Sequence, residues 1–161
     1  MTITVRNDGD ATIRIRAMRT RLKDMTPMWA KVGSYIAQVN RRQFATHGGY
    51  LGKPWKPLKP DYLQWKISEG YSKRTLVQTG GMRASFVSRP MSVEDYNGDT
   101  ATFGSNHPLA KFHQHGTHRN GKRAIPARPI VVKTPKMTRD IRDIVAEYIL
   151  VKSRTRTRKY L

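Results

Sequence analysis

The chain has no cysteine, which excludes a disulfide framework, a thiol nucleophile, an iron–sulfur cluster and a cysteine-based zinc finger. It has no apolar run of about 18 residues, the length that a membrane-spanning helix needs. Residues 1–10 lack the apolar core of a secretory signal, so the expectation is a soluble protein made in the cytoplasm, with no membrane partner. Carboxylates are scarce. Eleven Asp and Glu stand against 31 Lys and Arg, a formal net charge of +20 (31 − 11). Residues 25–60 carry six basic side chains and no acid, and residues 100–139 carry eight and no acid. Excess charge of one sign lowers the stability of a compact chain unless a polyanion or an acidic neighbour offsets it.

The scarcity of acids also bears on catalysis. Phosphoryl chemistry needs carboxylates to hold Mg²⁺ or to act as a base near the phosphate. The nearest ones to the histidine-rich stretch are Asp99 and Asp140, and Asp140 and Asp143 read as helix-start acids that complement the macrodipole. Thr79-Gly80-Gly81 lacks the Lys-Ser or Lys-Thr that completes a phosphate-binding loop, and there is no serine elbow. The expectation is a protein without catalytic residues and without a cofactor.

The 161 residues fit one domain, large enough to bury roughly 68–70% of its unfolded surface. Residues 1–152 are read as that domain and 153–161 as a basic arm. Residues 2–5 alternate polar and apolar and predict a short strand. Ile13, Ala17 and Leu22 give one apolar side of a first helix, opposite Arg14, Arg16, Arg19, Arg21 and Lys23. Thr26-Pro27 reads as an N-cap and first helical position. Met28, Val32, Tyr35, Ile36 and Val39 then recur at helical spacing, to a stop near Thr46 before Gly48-Gly49. The Gly- and Pro-rich stretch 48–60 is loop, with Trp55 and Leu58 as anchors that dock it. One or two helical turns follow over residues 61–67, and residues 71–78 have no assignment. Residues 85–93 read as strand, and Asn97-Gly98 is a strong hairpin signal with a return strand over 100–103. Residues 108–115 form a short helix closed by Gly116, and 118–123 a basic loop. Ile125-Pro126-Ala127-Arg128-Pro129 is extended, because residues before proline avoid the α region, and 130–132 continue it as strand. Thr134-Pro135 opens the last helix, with Met137, Ile141, Ile144, Val145 and Tyr148 on one face. The predicted class is α+β: a small, mainly antiparallel sheet packed by an N-terminal helix pair and a long C-terminal helix.

Four of the five histidines, His107, His113, His115 and His118, fall within twelve residues. Imidazoles suit Zn, Cu or Ni, but on a helix His113 and His115 point about 200° apart. No Asp, Glu or Cys in residues 100–139 completes a coordination sphere. The expectation is no metal, with His113 and Gln114 supporting the turn at Gly116. Charge alone favours non-specific, salt-dependent nucleic-acid binding, although no recognition module is present. The three tryptophans, Trp29, Trp55 and Trp65, are read as core or interface.

Taken in order, Trp55-Lys56-Pro57-Leu58, Leu76-Val77-Gln78-Thr79-Gly80 with Met82 and Ser85, the hairpin ending at Phe103-Gly104, Ala110-Lys111-Phe112-His113-Gln114-His115-Gly116 and Ile125-Pro126-Ala127-Arg128-Pro129 resemble the phage virion morphogenesis family. These are the Mu-like tail-completion and neck proteins of tailed bacteriophages. The resemblance spans residues 25–151. It implies a non-enzymatic structural protein at the junction of head and tail, assembled in the host cytoplasm. The protein would form a homo-oligomeric ring of six copies, between a head-side connector and a tail-side terminator or tube protein, with possible non-specific contact to channel DNA. The alternative is a free, non-sequence-specific nucleic-acid-binding protein. Trp55, Leu58, His113, Gln114, Gly116, Ile125, Pro126, Arg128 and Pro129 are the expected subunit or partner contacts. For the proline-flanked segment the competing reading is a rigid strand entry.

The last candidate site is the basic arm, Lys152, Arg154, Arg156, Arg158 and Lys159, with Tyr160 as its apolar anchor. Alternation of Arg with Ser or Thr gives neither a helical stripe nor an apolar face, so the segment cannot offset an ordering cost of roughly 1–2 kcal/mol per residue. It is expected to order only on assembly, against an acidic ring neighbour, an adjacent copy or DNA. Deleting residues 153–161 is expected to leave the thermal midpoint nearly unchanged while impairing the joining of heads to tails. An unfolded truncation, or infectious particles assembled normally from it, would sink this expectation.

Overall fold

The structure, a computed structural model, describes residues 9–150. The strand expected over residues 2–5 and the basic arm lie outside the described residues. Six helices and four strands follow one another: α1 Gly9–Lys23, α2 Thr26–Ala45, α3 Pro60–Ser68, α4 Gly81–Val87, β1 Val93–Asn97, β2 Thr100–Gly104, α5 Ala110–His115, β3 Thr117–Arg119, β4 Lys122–Ile125 and α6 Pro135–Leu150. The α+β class holds, with the strands paired as two separate antiparallel hairpins.

The second helix, α2, is the axis of the fold. Its buried positions Met28, Val32, Gly33, Ala37, Val39, Asn40, Gln43 and Phe44 recur at the spacing of one helical face. Its start differs from expectation. Thr26 is the first helical residue, and the Oδ1 of Asp24 accepts the Thr26 N–H at 3.0 Å. The local carboxylate thus takes an orphan donor of the first turn, while the Trp29 N–H, which a Thr26 cap could have served, donates to the Met25 carbonyl at 3.0 Å. Buried Gly33 lets the first hairpin approach. A Cβ there would stand 2.6 Å from the Phe103 ring and closer still to Arg89.

The helix α6 packs against α2, and α1 packs against α6. The α6 cap is the expected one: Thr134 Oγ1 accepts the Met137 N–H at 3.1 Å. Tyr148 donates from its hydroxyl to the Asp24 carbonyl at 2.7 Å, and Arg21 from Nη1 to the Ile149 carbonyl at 3.1 Å. Asp140 is not the helix-start acid anticipated, since the first turn of α6 holds none. It accepts from the Tyr35 hydroxyl of α2 at 2.6 Å and pairs with Lys136 one turn earlier. Lys136 first, and Tyr35 second, hold its carboxyl below the usual range.

Three expectations are corrected. Residues 85–87 belong to α4, and the paired strand begins only at Val93. This short helix persists because α2 satisfies its last carbonyls, Asn40 Nδ2 donating to Phe86 at 3.2 Å and Arg41 Nη2 to Val87 at 3.1 Å. Tertiary contacts here override the aromatic and β-branched character of Phe86-Val87. Residues 118–123 are a hairpin rather than a loop, because Asn120 and Gly121, both at positive φ, make the turn between β3 and β4. Residues 130–132 form no strand: they pair with none, and the chain bends at Ile130.

The Asn97-Gly98 hairpin forms as expected, with Val93 opposite Gly104 and Asn97 opposite Thr100. Trp29 Nε1 holds its tip by donating to the Gly98 carbonyl at 2.9 Å. The core joins Phe44, Trp55, Met82, Phe86, Val87, Ala110 and Ile130. Phe44 is its hinge, edge-on to Trp55 at 5.4 Å between ring centroids and tilted on Phe86 at 6.3 Å. Deleting a buried phenyl ring costs about 3–5 kcal/mol. Phe44→Ala is therefore expected to lower the thermal midpoint by roughly 10 °C, as a calorimetric scan would read. A midpoint unchanged within error would remove Phe44 from the centre of the core.

Candidate docking site

Past Ala45 the chain turns out of α2 through positive-φ Gly48 and runs back as a loop to α3. Trp55 brings this loop down onto the core. Its ring is buried, and its Nε1 donates to the Pro129 carbonyl at 2.8 Å. Gln43 donates to the same oxygen from Nε2 at 3.2 Å and accepts the Leu51 N–H at 3.0 Å. One carbonyl of the proline-flanked segment thus fixes both α2 and the loop.

The opposite side of that segment is fixed by the end of α5. Gln114 behaves as a displaced peptide group: its Oε1 accepts the N–H groups of Ile130 at 2.9 Å and Val131 at 3.1 Å, and its Nε2 donates to the Val131 carbonyl at 2.7 Å. The Arg128 N–H donates to the His113 carbonyl at 2.7 Å. Gly116 makes the close approach possible. It has φ +76°, and a Cβ there would lie 2.7 Å from the Ile125 carbonyl oxygen and 2.8 Å from the Ala127 nitrogen, so the position needs glycine on both counts.

Arg128, 7% exposed, turns inward. Its Nε donates to the Lys56 carbonyl at 2.8 Å and its Nη2 to the Pro57 carbonyl at 3.0 Å. The segment is therefore not the exposed one that its prolines suggested; Ile125, Pro126 and Pro129 are half-buried. The nine residues expected at a contact surface form one continuous neighbourhood around the end of α5. Gln114, rather than His113, carries the side-chain bonding expected of the pair, and it holds residues 130–131 rather than the turn.

A cleft of about 170 Å³ opens beside this junction. Leu58, His113 and Arg128 line it together with Tyr62, Lys66 and Leu109. Lys66 was not singled out in the sequence. It is 2% exposed, and its ammonium donates to the carbonyls of Arg74 at 3.0 Å and Val77 at 2.7 Å. Those bonds hold the irregular stretch between α3 and α4, the one left without assignment. Burial pushes the pKa of Lys66 below the ordinary lysine value and that of Arg128 below the ordinary arginine value. Burial also lowers that of His113, helped by the charges of Arg128 and His107, and its Nδ1 is buried without a hydrogen-bond partner. Among the described residues no group of three or more His, Asp or Glu is placed to hold a metal ion.

The sequence of residues 10–150 matches the model of the Phage virion morphogenesis family. The chain is 36% identical over 148 residues to the Mu-like prophage FluMu G protein 2 of Haemophilus influenzae, covering 91% of this chain and 94% of that protein. No solved structure matches.

A histidine whose folded pKa is depressed favours folding while neutral, so its contribution is complete above the unfolded value of about 6.5 and is lost as pH falls through the folded value. Thermal melts between pH 7 and pH 5 are expected to show wild-type protein losing stability on acidification, and the His113→Gln variant losing less. This window lies above that of Asp140, whose carboxyl is held low. Equal pH slopes in the two proteins would remove His113 from the balance.

Proposed function

Because the chain belongs to the Phage virion morphogenesis family, we propose that it acts as a tail-completion or head-to-tail connector protein, a ring of identical copies at the junction of head and tail. It is a structural component, and its role is to present faces to neighbours rather than to transform a substrate. The host cytoplasm is its place during assembly and the virion its final one. A head-side connector and a tail-side terminator or tube protein are the neighbours this reading requires, with six copies as the expected stoichiometry.

The observation that carries the reading is α1. It packs on α6 yet leaves Ile13 67% and Ile15 58% exposed. An arm of this kind, with apolar side chains that no described residue buries, suits a heterologous contact. Such a contact generates a ring when its repeated rotation closes on itself. The charge supports it too, since a ring around DNA or between acidic rings gives +20 a compensating environment. Duplex binding by a free protein has the same charge in its favour but leaves the two exposed isoleucines of α1, on opposite sides of the helix, unexplained.

Particle imaging with a label on this chain tests the proposal. The label is expected at the head–tail junction, and particles carrying Ile13→Asp with Ile15→Asp are expected as separate heads and tails. A label along the tail tube or at its distal end would overturn the assignment, as would normally joined particles from the double variant.

A further inference from the structure

The cleft beside α5 is built around buried positive charge. Lys66 and Arg128 are nine-tenths buried, and neither makes an ion pair among the described residues; each is met by two backbone carbonyls. Carbonyl dipoles satisfy hydrogen bonds without cancelling charge, and a buried cation costs several kcal/mol unless an anion answers it. The Nη1 of Arg128 donates to no described residue. His113 also lines the cleft, and its Nδ1 is buried without a hydrogen-bond partner. At the mouth, Tyr62 is 44% and Leu109 49% exposed, and Trp65 stacks on Tyr62 at 5.4 Å. Exposed apolar groups around a desolvated polar anchor are the anatomy of an interface hot spot.

We propose that this cleft is a socket for a carboxylate side chain, a glutamate flanked by an apolar residue, carried by a neighbouring virion protein. The proposal rests on the virion reading only for the source of that carboxylate. The cavity, about 170 Å³, falls below the roughly 300–1,000 Å³ of sites for free small ligands and nucleotides. Duplex DNA presents its phosphates on the rim of a stiff rod, where they meet exposed Lys and Arg. A cation at the bottom of a cleft is reached by an anion on a slender stalk, which is what a glutamate is. Entry of the carboxylate would complete the ionic pairing of Lys66 and Arg128. Tyr62 and Leu109 would cover the flanking apolar residue and exclude water from the pair.

The test uses the full chain and N-acetyl-glutamyl-leucinamide as probe, followed through the imidazole resonances of His113. The glutaminyl analogue and a short DNA duplex serve as comparators. The glutamyl probe is expected to move those resonances, to raise the His113 pKa and to bind at least tenfold more tightly than the glutaminyl analogue. Arg128→Gln removes the bonds to Lys56 and Pro57 and so threatens the fold. Lys66→Met, which keeps length without charge, is the second variant, with far-ultraviolet circular dichroism to verify its fold. A folded Lys66→Met protein is expected to bind the probe at least tenfold more weakly. Resonances that stay still, equal binding of both dipeptides, or undiminished binding by folded Lys66→Met would each overturn the proposal. Duplex DNA moving the same resonances at lower concentration would make the cleft a nucleic-acid site instead. All of these are read on the isolated chain, so they are independent of where the particle label falls.

Discussion

Much of the molecule depends on a single acceptor, the carbonyl oxygen of Pro129. Gln43 reaches it from α2 and Trp55 from the loop that follows, so three stretches remote in sequence converge on one atom. Both donors are buried side chains, and burying either without a partner would cost about 1–3 kcal/mol. The arrangement therefore specifies geometry more sharply than the apolar packing around it does. Phe44 and Trp55 would tolerate some sliding; a ring nitrogen 2.8 Å from a carbonyl does not. The position of Trp55 fixes the backbone at Lys56 and Pro57, and those carbonyls in turn receive Arg128.

Legibility from sequence follows how local each cause is. The face of α2, the stop at Gly48, the Asn97-Gly98 turn and the Thr134-Pro135 cap are set by residues within a few positions of one another, and they were readable. The strand expected over residues 85–93 failed because the decisive groups, Asn40 and Arg41, lie more than forty residues away. The turn between β3 and β4 is a different case. Asn120-Gly121 carries the same signal as Asn97-Gly98, and the surrounding basic residues hid it. Of the cleft, the sequence yielded Leu58, His113 and Arg128, and residues 76–80 with Met82, as members of motifs. It gave no sign of Lys66, since a single lysine on a short helix looks like any solvated one. Only the fold reveals that its ammonium ends among carbonyls.

Charge is distributed in two ways that the net value of +20 conceals. Most of the basic side chains of α1 stand on the surface, screened by solvent and salt. Two cations elsewhere are inside, bound to backbone oxygens. The first kind acts over the Debye length and is sensitive to ionic strength; the second acts only on what enters the cleft. On the proposed readings, a single chain would attract acidic surroundings loosely and hold one acidic group at short range.

Residues 129–131 show how the backbone groups of a segment outside any sheet can be satisfied. The Pro129 carbonyl is occupied by two side chains, and the Ile130 and Val131 N–H groups and the Val131 carbonyl by one glutamine. A bare extended backbone is a template onto which another chain can add as a strand. Here amide and indole groups stand in for the missing strand, so the template is closed before any neighbour arrives. In the proposed ring, copies around a common axis would then meet through side-chain faces, not by merging their backbones, and each would remain a discrete subunit.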